Sequence, residues 1–312
     1  MTLNFIDLFC GIGGFRVALE KRGFKCVFSS DIDRRAQEAY AKNFGEFPSG
    51  DITQISESEI PRHNILCAGF PCQSFSISGK MGGVADPRGR LFYEIKRIAK
   101  YHKPLVLLLE NVKNILSIDG GNVVKTIESE LNEIGYDLHF NILNASLFGI
   151  PQSRERVYFV ALRKDANLSY EPPKPTFKQV FLRDILETNI DRDFFIIDPQ
   201  KIKWSKDKDL SLKLLKPIRV GTINKGGQGE RIYSPNGHAI TLSAYGGGIG
   251  AKTGLYVAPQ GVRRLTIREC KRVMGFPDDH FVSDGSLGYR QLGNAVIPAM
   301  VGFVWDGVRG AT

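Results

Sequence analysis

Short apolar runs alternate with amphipathic stretches over the first 165 residues of the chain. The runs have the length of strands, and the stretches between them have the apolar spacing typical of helices. Strands that alternate with helices predict an α/β fold with a largely parallel, doubly wound sheet, in which ligands bind at the carboxyl ends of the strands. The predicted strands are Asn4–Leu8, Lys25–Ser30, Asn64–Ala68, Leu105–Glu110, Asp137–Leu143 and Arg156–Ala161, and the predicted helices are Gly14–Arg22, Arg34–Phe44, Arg90–Tyr101 and Val123–Ile134.

This rhythm stops after the proline-rich segment EPPKPTF at residues 171–177, which is typical of a linker. Residues 185–266 are rich in Gly and Lys and contain short β-like pieces. We therefore expect a second, smaller domain of strands and loops. A helix is predicted again at Thr266–Met274, and the segment QLGNAVIP at residues 291–298 leads into a last apolar stretch.

Composition is that of an ordinary soluble protein, since 42% of the 312 residues are hydrophobic and 24% are charged. A chain of this length forms one large domain or two unequal ones, and it can bury a substantial core without disulfides or metal. No apolar run approaches the roughly 20 residues needed to span a bilayer. The N-terminal MTLNFIDLFCGIGG lacks the basic start of a signal peptide, so we expect a cytoplasmic protein.

The five cysteines are odd in number and widely spaced, so no disulfide framework is expected in the reducing cytoplasm. The sequence has no C-x-x-C and no nearby pair of histidines, so no structural zinc and no other metal are expected. The net charge is +9, from 42 basic and 33 acidic residues. This excess favours a polyanionic partner such as nucleic acid, although a basic enzyme without such a partner would share it.

A glycine-rich turn follows the first predicted strand in FIDLFCGIGG, residues 5–14. Glycines let the backbone approach a ligand closely, although a plain tight turn would also explain them. Asp31 and Asp33 end the second strand, where an acid suits the hydroxyls of a ribose. The turn lacks the full G-x-G-x-x-G, which favours adenosylmethionine over NAD as the nucleoside cofactor. Asp51, in GDIT, suits this site and equally suits a helix N-cap.

Reactive side chains follow several of the predicted strands. Cys72 lies in GFPCQSFS after the third strand, Glu110 ends the apolar run LLLENV, and Arg154 and Arg156 flank the start of the last strand, which would place two guanidinium groups at the same rim. A thiolate is a strong nucleophile. A protonated glutamate can hydrogen-bond a ring nitrogen, and an arginine can hold a ring carbonyl. These groups suit attack on C6 of a pyrimidine, which creates a carbanion at C5 that can accept a methyl group.

Six motifs in their order resemble the DNA cytosine-5 methyltransferase family and cover almost the whole chain. They are FxGxGG, the Pro-Cys-Gln loop, ENV, the RER pair, RxLTxxECxRxxGFP and GNAV. The chain is most similar to the HhaI-type enzymes of bacterial restriction–modification systems. KGGQGERIYS at residues 225–234 and ITLSAYGGGI at residues 240–249 resemble the target-recognition loops of that type.

The resemblance implies a role for each reactive residue. Cys72 would attack C6, Glu110 would contact N3 and the exocyclic amine of the target cytosine, Arg156 would hold O2, and Arg154 would support the site. The loop 73–80 would close over the DNA. Adenosylmethionine would be bound by Phe9, Gly11, Gly14, Asp31, Ile32, Asp51, Ile52, Pro71, Leu91, Asn294 and Val296. DNA would be contacted by Gln73, Ser76, Ser78, Lys80, Gln228, Arg231, Tyr245, Gly246, Gly247 and Gly248.

The same resemblance implies a Rossmann-like, adenosylmethionine-dependent methyltransferase domain of residues 1–184 plus 294–312. A smaller, mostly β target-recognition domain would span residues 185–266, and a hinge segment would span residues 267–293. The expected substrate is duplex DNA with the target GCGC, methylated at the inner cytosine. The expected assembly is a monomer, and its functional partner is a cognate restriction endonuclease.

Two features depart from the family pattern. Ile32 stands where many relatives carry an aromatic residue beside the adenine, so aliphatic contact would replace stacking. The C-terminal AMVGFVWDGVRGAT drifts from the usual final helix, and its glycines weaken helix propensity, so we expect a frayed last turn.

Three other functions compete with this interpretation. The same chemistry on tRNA occurs in one eukaryotic branch of the family, but the bacterial-type recognition loops argue against it. A non-catalytic DNA-binding module would not need Cys72, Glu110 and Arg156 together. A NAD-dependent oxidoreductase would leave the Pro-Cys loop and the basic second domain unexplained.

Overall fold

The computed structural model describes residues 2–70, 90–196, 198–245 and 249–311. By compactness the chain divides into two units. Unit 1 comprises Met1–Leu143, Glu155–Lys174 and Pro298–Thr312, and unit 2 comprises Asn144–Arg154 and Pro175–Ile297. The assignment of residues 1–184 plus 294–312 to catalysis, of 185–266 to target recognition and of 267–293 to a hinge remains a prediction.

Unit 1 contains a six-stranded sheet in the order β2-β1-β3-β4-β6-β5. Strand β1 is parallel to β2 and β3, β3 is parallel to β4, and β6 is antiparallel to β4. The prediction of a largely parallel α/β sheet is thus confirmed. The strands are β1 Asn4–Leu8, β2 Lys25–Ser30, β3 Ile65–Gly69, β4 Val106–Val112, β5 Tyr136–Asn144 and β6 Glu155–Arg163.

Helices join these strands and cover the sheet. They are α1 Gly14–Glu20, α2 Arg34–Phe44, α3 Arg90–His102 and α4 Asn122–Glu133. Helix α2 is capped at its N-terminus by Asp33, whose side chain accepts from the Arg35 N–H, and at its C-terminus by Gly45. Apolar residues of β1, β3, β4 and β6 form one core with those of α3 and α4. The carboxyl ends of the parallel strands are therefore held on a rigid base, where ligands bind in folds of this class.

The C-terminal part of unit 1 is better ordered than the sequence predicts. Helix α7 spans Pro298–Trp305, and strand β13, Val308–Arg309, pairs with strand β7, Ser169–Tyr170. A side chain at Gly302 would come within 2.5 Å of the Arg22 guanidinium, so glycine allows this helix to lie close to that arginine. Among residues 298–311, the expectation of a frayed end is therefore wrong, because packing outweighs the low helix propensity of glycine.

Unit 2 contains a five-stranded sheet in the order β12-β11-β10-β9-β8. Strand β10 is parallel to β11, and the other described pairs are antiparallel. Apolar residues from the sheet form a small core. The strands are β8 Ile202–Trp204, β9 Arg219–Ile223, β10 Arg231–Tyr233, β11 Leu255–Ala258 and β12 Gly261–Arg263, and the helices are α5 Ile267–Val273 and α6 Gly285–Asn294.

Short 3₁₀ turns fill many of the connections in both units. They lie at Ile52–Gln54, Glu57–Glu59, Lys113–Leu116, Ile118–Gly121, Ala145–Phe148, Lys164–Ala166, Leu182–Ile185, Arg192–Phe194, Pro199–Lys201 and Gln228–Glu230.

A buried ion pair explains the spacing of arginine and glutamate in RRLTIREC, residues 263–270 of unit 2. Two nitrogens of the Arg263 guanidinium lie 2.7 Å from the two Glu269 carboxylate oxygens, and the side chains are 2% and 0% exposed. Glu269 also accepts from the backbone N–H of Thr266 at 2.9 Å, and Thr266 Oγ1 accepts from the Glu269 N–H at 3.1 Å. This reciprocal capping box starts α5. The Glu187 N–H is a further donor to Glu269.

Glu269→Gln is expected to lower the free energy of unfolding by about 3–5 kcal/mol, because it leaves the buried Arg263 cation without its counter-charge. The measurement is urea-induced unfolding followed by fluorescence. Arg268→Ala is the matched control, since the Arg268 side chain is 59% exposed and its pair with Glu187 should contribute no more than about 1 kcal/mol. Equal loss of stability in the two variants would contradict the role given to Glu269.

Candidate active site

Asp31 connects the first two strands of unit 1 at their carboxyl ends. Its carboxylate accepts from the Gly11 N–H at 2.8 Å and from the Asp33 N–H at 2.8 Å. Burial raises the pKa of this carboxyl, and the two N–H donors partly oppose that change. A carboxylate offers about four acceptor sites, so these bonds leave sites for hydroxyl donors. The sequence predicted the acid, but it could not show that Asp31 also fixes the glycine turn.

The surroundings of Asp31 suit a nucleoside. Apart from Gly11 itself and the residues directly before and after it, no heavy atom of the described residues lies within 4 Å of the position that a Cβ at Gly11 would take. Gly11 has a φ of +55°. The Ile32 side chain is 73% exposed and offers an apolar surface next to the acid. Phe9 is partly buried against the core, and Gly14 is buried in the first turn of α1. The residues present therefore fit the cofactor that the family implies.

The segment after α2 reaches the same edge of the sheet. Ser49 bridges to Ser30, at the end of β2, and its carbonyl accepts from the Asp31 N–H at 3.0 Å. Asp51 accepts from the Thr53 N–H at 3.0 Å, which is the N-cap role left open by the sequence. Ile52 is 3% exposed and belongs to the core.

Two further residues of unit 1 that are predicted to bind the cofactor, Leu91 and Pro71, lie elsewhere in the sequence. Leu91, in the first turn of α3, is partly buried. Pro71 lies outside the described residues.

Glu110 and Arg156 form an ion pair at the carboxyl end of β4. The Arg156 Nε lies 3.1 Å from a Glu110 carboxylate oxygen, and the side chains are 15% and 10% exposed. Arg156 reaches this position because β6 is antiparallel to β4, so that the beginning of β6 lies beside the end of β4. The predicted placement of Arg156 at this rim is confirmed. The pair presents one anion and one cation, which suits a polar heterocycle.

Asn111, the second residue of ENV, has a role that the sequence did not reveal. Its side-chain amide donates to the Phe70 carbonyl at 2.9 Å, and the residue is 2% exposed. Gly69, the last residue of β3, pairs in register with Glu110. The chain therefore enters the Pro71–Cys72 segment from a position fixed beside Glu110. The only sign of this role in the sequence was a polar residue in a strand that is otherwise largely apolar.

Arg154 has a different environment from Arg156. It belongs to unit 2 and is 3% exposed, and its guanidinium donates to the carbonyls of Leu242, Gly293 and Ala295 at 3.3, 3.0 and 2.9 Å. These bonds hold the GNAV segment, in which Asn294 is exposed and Val296 is buried. We expected RER to present both guanidinium groups at one rim of the sheet. Arg156 lies at that rim beside Glu110, whereas Arg154 donates to backbone carbonyls of unit 2.

The first predicted recognition segment contacts the residue that directly follows the second one. The Gly250 N–H donates to the Gly229 carbonyl at 2.9 Å. Glu230 orders the first segment, because it accepts from the Gly227 N–H at 2.8 Å and from the Asn224 amide at 3.1 Å. These hydrogen bonds lower the pKa of Glu230.

Three of the other residues predicted to contact DNA lie in the described part of the chain. Arg231 begins β10, and Tyr245 is 73% exposed. Gln228 lies in the turn Gln228–Glu230. The catalytic candidate Cys72 and the residues Gln73, Ser76, Ser78, Lys80, Gly246, Gly247 and Gly248 lie outside the described residues.

The four described cysteines are Cys10, Cys26, Cys67 and Cys270, and all are buried free thiols. Burial raises the pKa of Cys26 to about 12 and the pKa of each of the other three well above its ordinary value. Thiols with raised pKa values hold little thiolate at neutral pH, so these four are poor nucleophiles.

Within the described ranges, no group of three or more His, Cys, Asp or Glu residues is arranged to hold a metal ion. No described helix is both long enough and apolar enough to cross a membrane.

Solved structures with the same fold are methyltransferases. The chain superposes on the Dnmt2 methyltransferase of S. pombe with a TM-score of 0.76 at 22% sequence identity, covering 97% of both chains. It superposes on a putative DNA modification methyltransferase from an E. coli prophage with a TM-score of 0.74 at 22% identity, covering 98% of both chains. The sheet of unit 1 is therefore a Rossmann-like methyltransferase fold.

Sequence comparison identifies the family. The model of the family described as C-5 cytosine-specific DNA methylase matches residues 3–307. The type II methyltransferase M.HhaI of Haemophilus parahaemolyticus is 50% identical over 95% of this chain and 90% of its own length. M.MspI of Moraxella sp is 40% identical over 96% of this chain and 68% of its own length. The chain belongs to the C-5 cytosine-specific DNA methylase family and is a DNA cytosine-5 methyltransferase, which confirms the resemblance.

Proposed function

We propose that this enzyme flips a cytosine out of duplex DNA, attacks C6 of the base with Cys72, and directs a methyl group from adenosylmethionine to C5. The observation that carries the proposal is the rim of β3 and β4. There Gly69 pairs with Glu110, Glu110 pairs with Arg156, and Asn111 holds the Phe70 carbonyl two residues before Cys72.

The cofactor would be held at the edge defined by Asp31. The free acceptor sites of Asp31 suit the ribose hydroxyls, the open space at Gly11 allows close approach, and Ile32 offers aliphatic contact to the adenine. Adenosylmethionine, when bound, would supply an electrophilic methyl group, and the electron pair of the broken S–CH₃ bond would stay on its sulfur, which leaves as a neutral thioether. Further contacts are proposed from Phe9, Gly14, Asp51, Ile52, Pro71, Leu91, Asn294 and Val296.

The proposed nucleophile is Cys72. Its four described counterparts are buried and have raised thiol pKa values, which supports a nucleophile elsewhere in the chain. In the attack, the sulfur forms a bond to C6, and the electron pair of the C5–C6 double bond moves to C5. After C5 is methylated, its proton leaves to solvent and the S–C6 bond breaks. The double bond returns, and the thiolate is regenerated.

Glu110 and Arg156 would hold the ring during this step. A proton shared between Glu110 and N3 draws electron density from C6, and Arg156 binds the O2 oxygen. In the absence of the base the two side chains neutralise each other, so neither charge is left unpaired. Arg154 would support the site.

Chemistry on a base within a duplex requires the base to leave the stack, which costs a few kcal/mol. We propose that Gln228 and Ser78 fill the vacated space and offset part of this cost. Additional contacts would come from Gln73, Ser76, Lys80, Arg231, Tyr245, Gly246, Gly247 and Gly248.

GCGC, methylated at the inner cytosine, is the proposed target, and protection of host DNA in a restriction–modification system is the proposed role. The 50% identity to M.HhaI supports this target. Each good base contact contributes only about 1–3 kcal/mol of discrimination, so few residues separate one target from another.

The proposed function is tested by transfer of a labelled methyl group from adenosylmethionine to three nucleic acids. These are a short GCGC duplex, the same duplex with the site scrambled, and tRNA. Label on the GCGC duplex alone, recovered as 5-methylcytosine, is expected. Label on the scrambled duplex would overturn the target, and label on tRNA alone would overturn the DNA substrate.

A further inference from the structure

A cleft of about 960 Å³ opens in unit 1 at the end of the sheet opposite the candidate active site. It is bordered by Asn4 at the start of β1, by Asn64 just before β3 and by Leu105 just before β4. These positions are at the amino ends of parallel strands, whereas Asp31 and Glu110 lie at carboxyl ends. The length of the strands separates the two edges by roughly 15–20 Å, so the cleft is distinct from the site described above.

Hydrogen bonds fix the backbone around this cleft. The Asn64 side-chain oxygen accepts from the Asn4 N–H at 2.9 Å, and the Asn64 N–H donates to the Asn4 carbonyl at 2.8 Å. The Asn64 carbonyl accepts from the Leu105 N–H at 2.7 Å. The frame is therefore formed before any ligand arrives, as is usual for small-molecule sites. The side-chain NH₂ groups of Asn4 and Asn64 add hydrogen-bond donors to it.

The cleft is lined by basic side chains and by no acidic one. Arg163 is engaged within the protein, because it donates to Asp165 at 2.5 Å and to the Lys103 carbonyl. Arg62 and Lys103 are exposed, and no described residue forms an ion pair with either side chain. Their uncompensated positive charge favours an anion in the cleft. The basic lining residues are Arg62, His63, His102, Lys103 and Arg163.

His63 distinguishes this cleft from a merely basic surface. The residue is 7% exposed, and its Nδ1 lies 2.8 Å from the Pro61 carbonyl, which can only accept, so Nδ1 carries a proton. Burial lowers the pKa of His63 to about 4, so the ring is neutral near neutral pH and Nε2 is an acceptor. No group of the described residues hydrogen-bonds to this buried nitrogen.

Packing alone does not explain a histidine at this position. The His63 ring lies 4.8 Å from the His102 ring, and His102 Nε2 donates to the Glu57 carbonyl at 2.8 Å. A phenylalanine at 63 would pack on His102 without leaving a buried nitrogen unpaired, which is unfavourable. An unpaired acceptor beside uncompensated cations suits a ligand that carries both negative charge and a hydrogen-bond donor.

We propose that the cleft binds a hydrogen phosphate group, either as inorganic phosphate or as the end of a phosphate monoester. Arg62 and Lys103 would balance its charge, and its P–OH would donate to His63 Nε2. Because Nε2 is shielded from solvent in the free protein, side chains at the cleft would adjust on binding, as is common when partners bind. This site goes beyond the proposed function, since none of its residues takes part in methyl transfer.

Sulfate provides the test, because it has the shape and charge of phosphate but carries no proton at pH 6. Binding of each anion to the full chain is measured by isothermal titration calorimetry at pH 6, where about half of a phosphate monoester is still protonated. Inorganic phosphate should bind about tenfold more tightly than sulfate, whose oxygen would face the Nε2 lone pair. Phenyl phosphate identifies the source. Tighter binding than inorganic phosphate would indicate an ester that packs on the exposed Tyr101 ring, and weaker binding would indicate free phosphate.

Three variants separate the role of His63 from that of charge. His63→Phe keeps a ring against His102 and should remove the preference for phosphate over sulfate. Arg62→Gln with Lys103→Gln should weaken both anions about tenfold, because charge-assisted hydrogen bonds are lost. Lys21→Gln with Lys125→Gln removes two exposed charges elsewhere in unit 1 and should leave both affinities unchanged.

Absence of saturable phosphate binding by the wild type would overturn the proposal, and so would equal affinities for phosphate and sulfate. A preference that survives in His63→Phe, or an equal loss of affinity in the Lys21 and Lys125 variant, would also overturn it. The Arg62 and Lys103 variant changes only exposed side chains, so it tests the site even if His63→Phe does not fold. Methyl transfer to DNA is assayed separately, and its failure would leave the phosphate titration unaffected.

Discussion

Cys72→Ser is expected to abolish transfer of the labelled methyl group to the GCGC duplex, with a loss on the order of 10⁴-fold or more in the single-turnover rate. A serine hydroxyl is far less nucleophilic than a thiol at neutral pH, where a few per cent of an ordinary thiol is already thiolate. Binding of the duplex should change little, because the substitution removes one sulfur atom and no charge-bearing contact to phosphate. The rate is measured with enzyme in excess over DNA.

The control for this prediction is Cys270→Ala. Cys270 is a buried thiol in α5 whose pKa is raised by burial, so its loss should leave the rate within a few-fold of the wild type below the melting temperature. Retained methylation in Cys72→Ser would refute the proposed nucleophile. Loss of methylation in both variants would point to unfolding, which circular dichroism would reveal.

Glu110→Gln is expected to lower kcat by about 10²–10⁴-fold, the usual contribution of a positioned acid or base. Glutamine keeps the shape of the side chain and can donate a hydrogen bond, but it cannot share a proton with N3. It also removes the counter-charge of Arg156, which lies 3.1 Å away. The KM for DNA should move much less than kcat, because phosphate contacts are untouched.

Glu155→Gln is the matched control for that substitution. Glu155 is next to Arg156 in the sequence, but its pair with Lys113 is exposed at 47% and 53% of the side chains. It should therefore behave like the wild type. A kcat for Glu110→Gln within a few-fold of the Glu155→Gln value would contradict the role proposed for Glu110.

The sequence predicted the sheet well because its signals are local. The bounds of β1, β2 and α2 agree with the prediction at both ends, since apolar runs and an N-cap mark them. Strands β4 and β6 are longer than predicted. They form an antiparallel ladder from Val106–Leu162 to Val112–Arg156, and these cross-strand bonds extend both strands beyond their apolar runs.

The site was predictable only in part. The types of residue at Asp31, Glu110 and Arg156 predicted a cofactor edge and a reactive rim, and the structure places Glu110 and Arg156 side by side. The partners of Arg154 could not be predicted, because the carbonyls that it binds lie 88 to 141 residues away along the chain. The T-x-x-E spacing at Thr266 is typical of a capping box, but nothing local identified Arg263 as the buried partner of Glu269.

The last helix of the chain completes the first unit. Helix α7 packs on α1, where the Trp305 and Phe24 rings are 5.0 Å apart and Asp306 accepts from the Arg22 guanidinium at 2.6 Å. During synthesis from the N-terminus, the face of α1 that receives α7 is therefore exposed until residues 298–306 have left the ribosome. A prematurely terminated chain would lack the cover of this face. Completion of unit 1 is thus coupled to translation of residues 298–306.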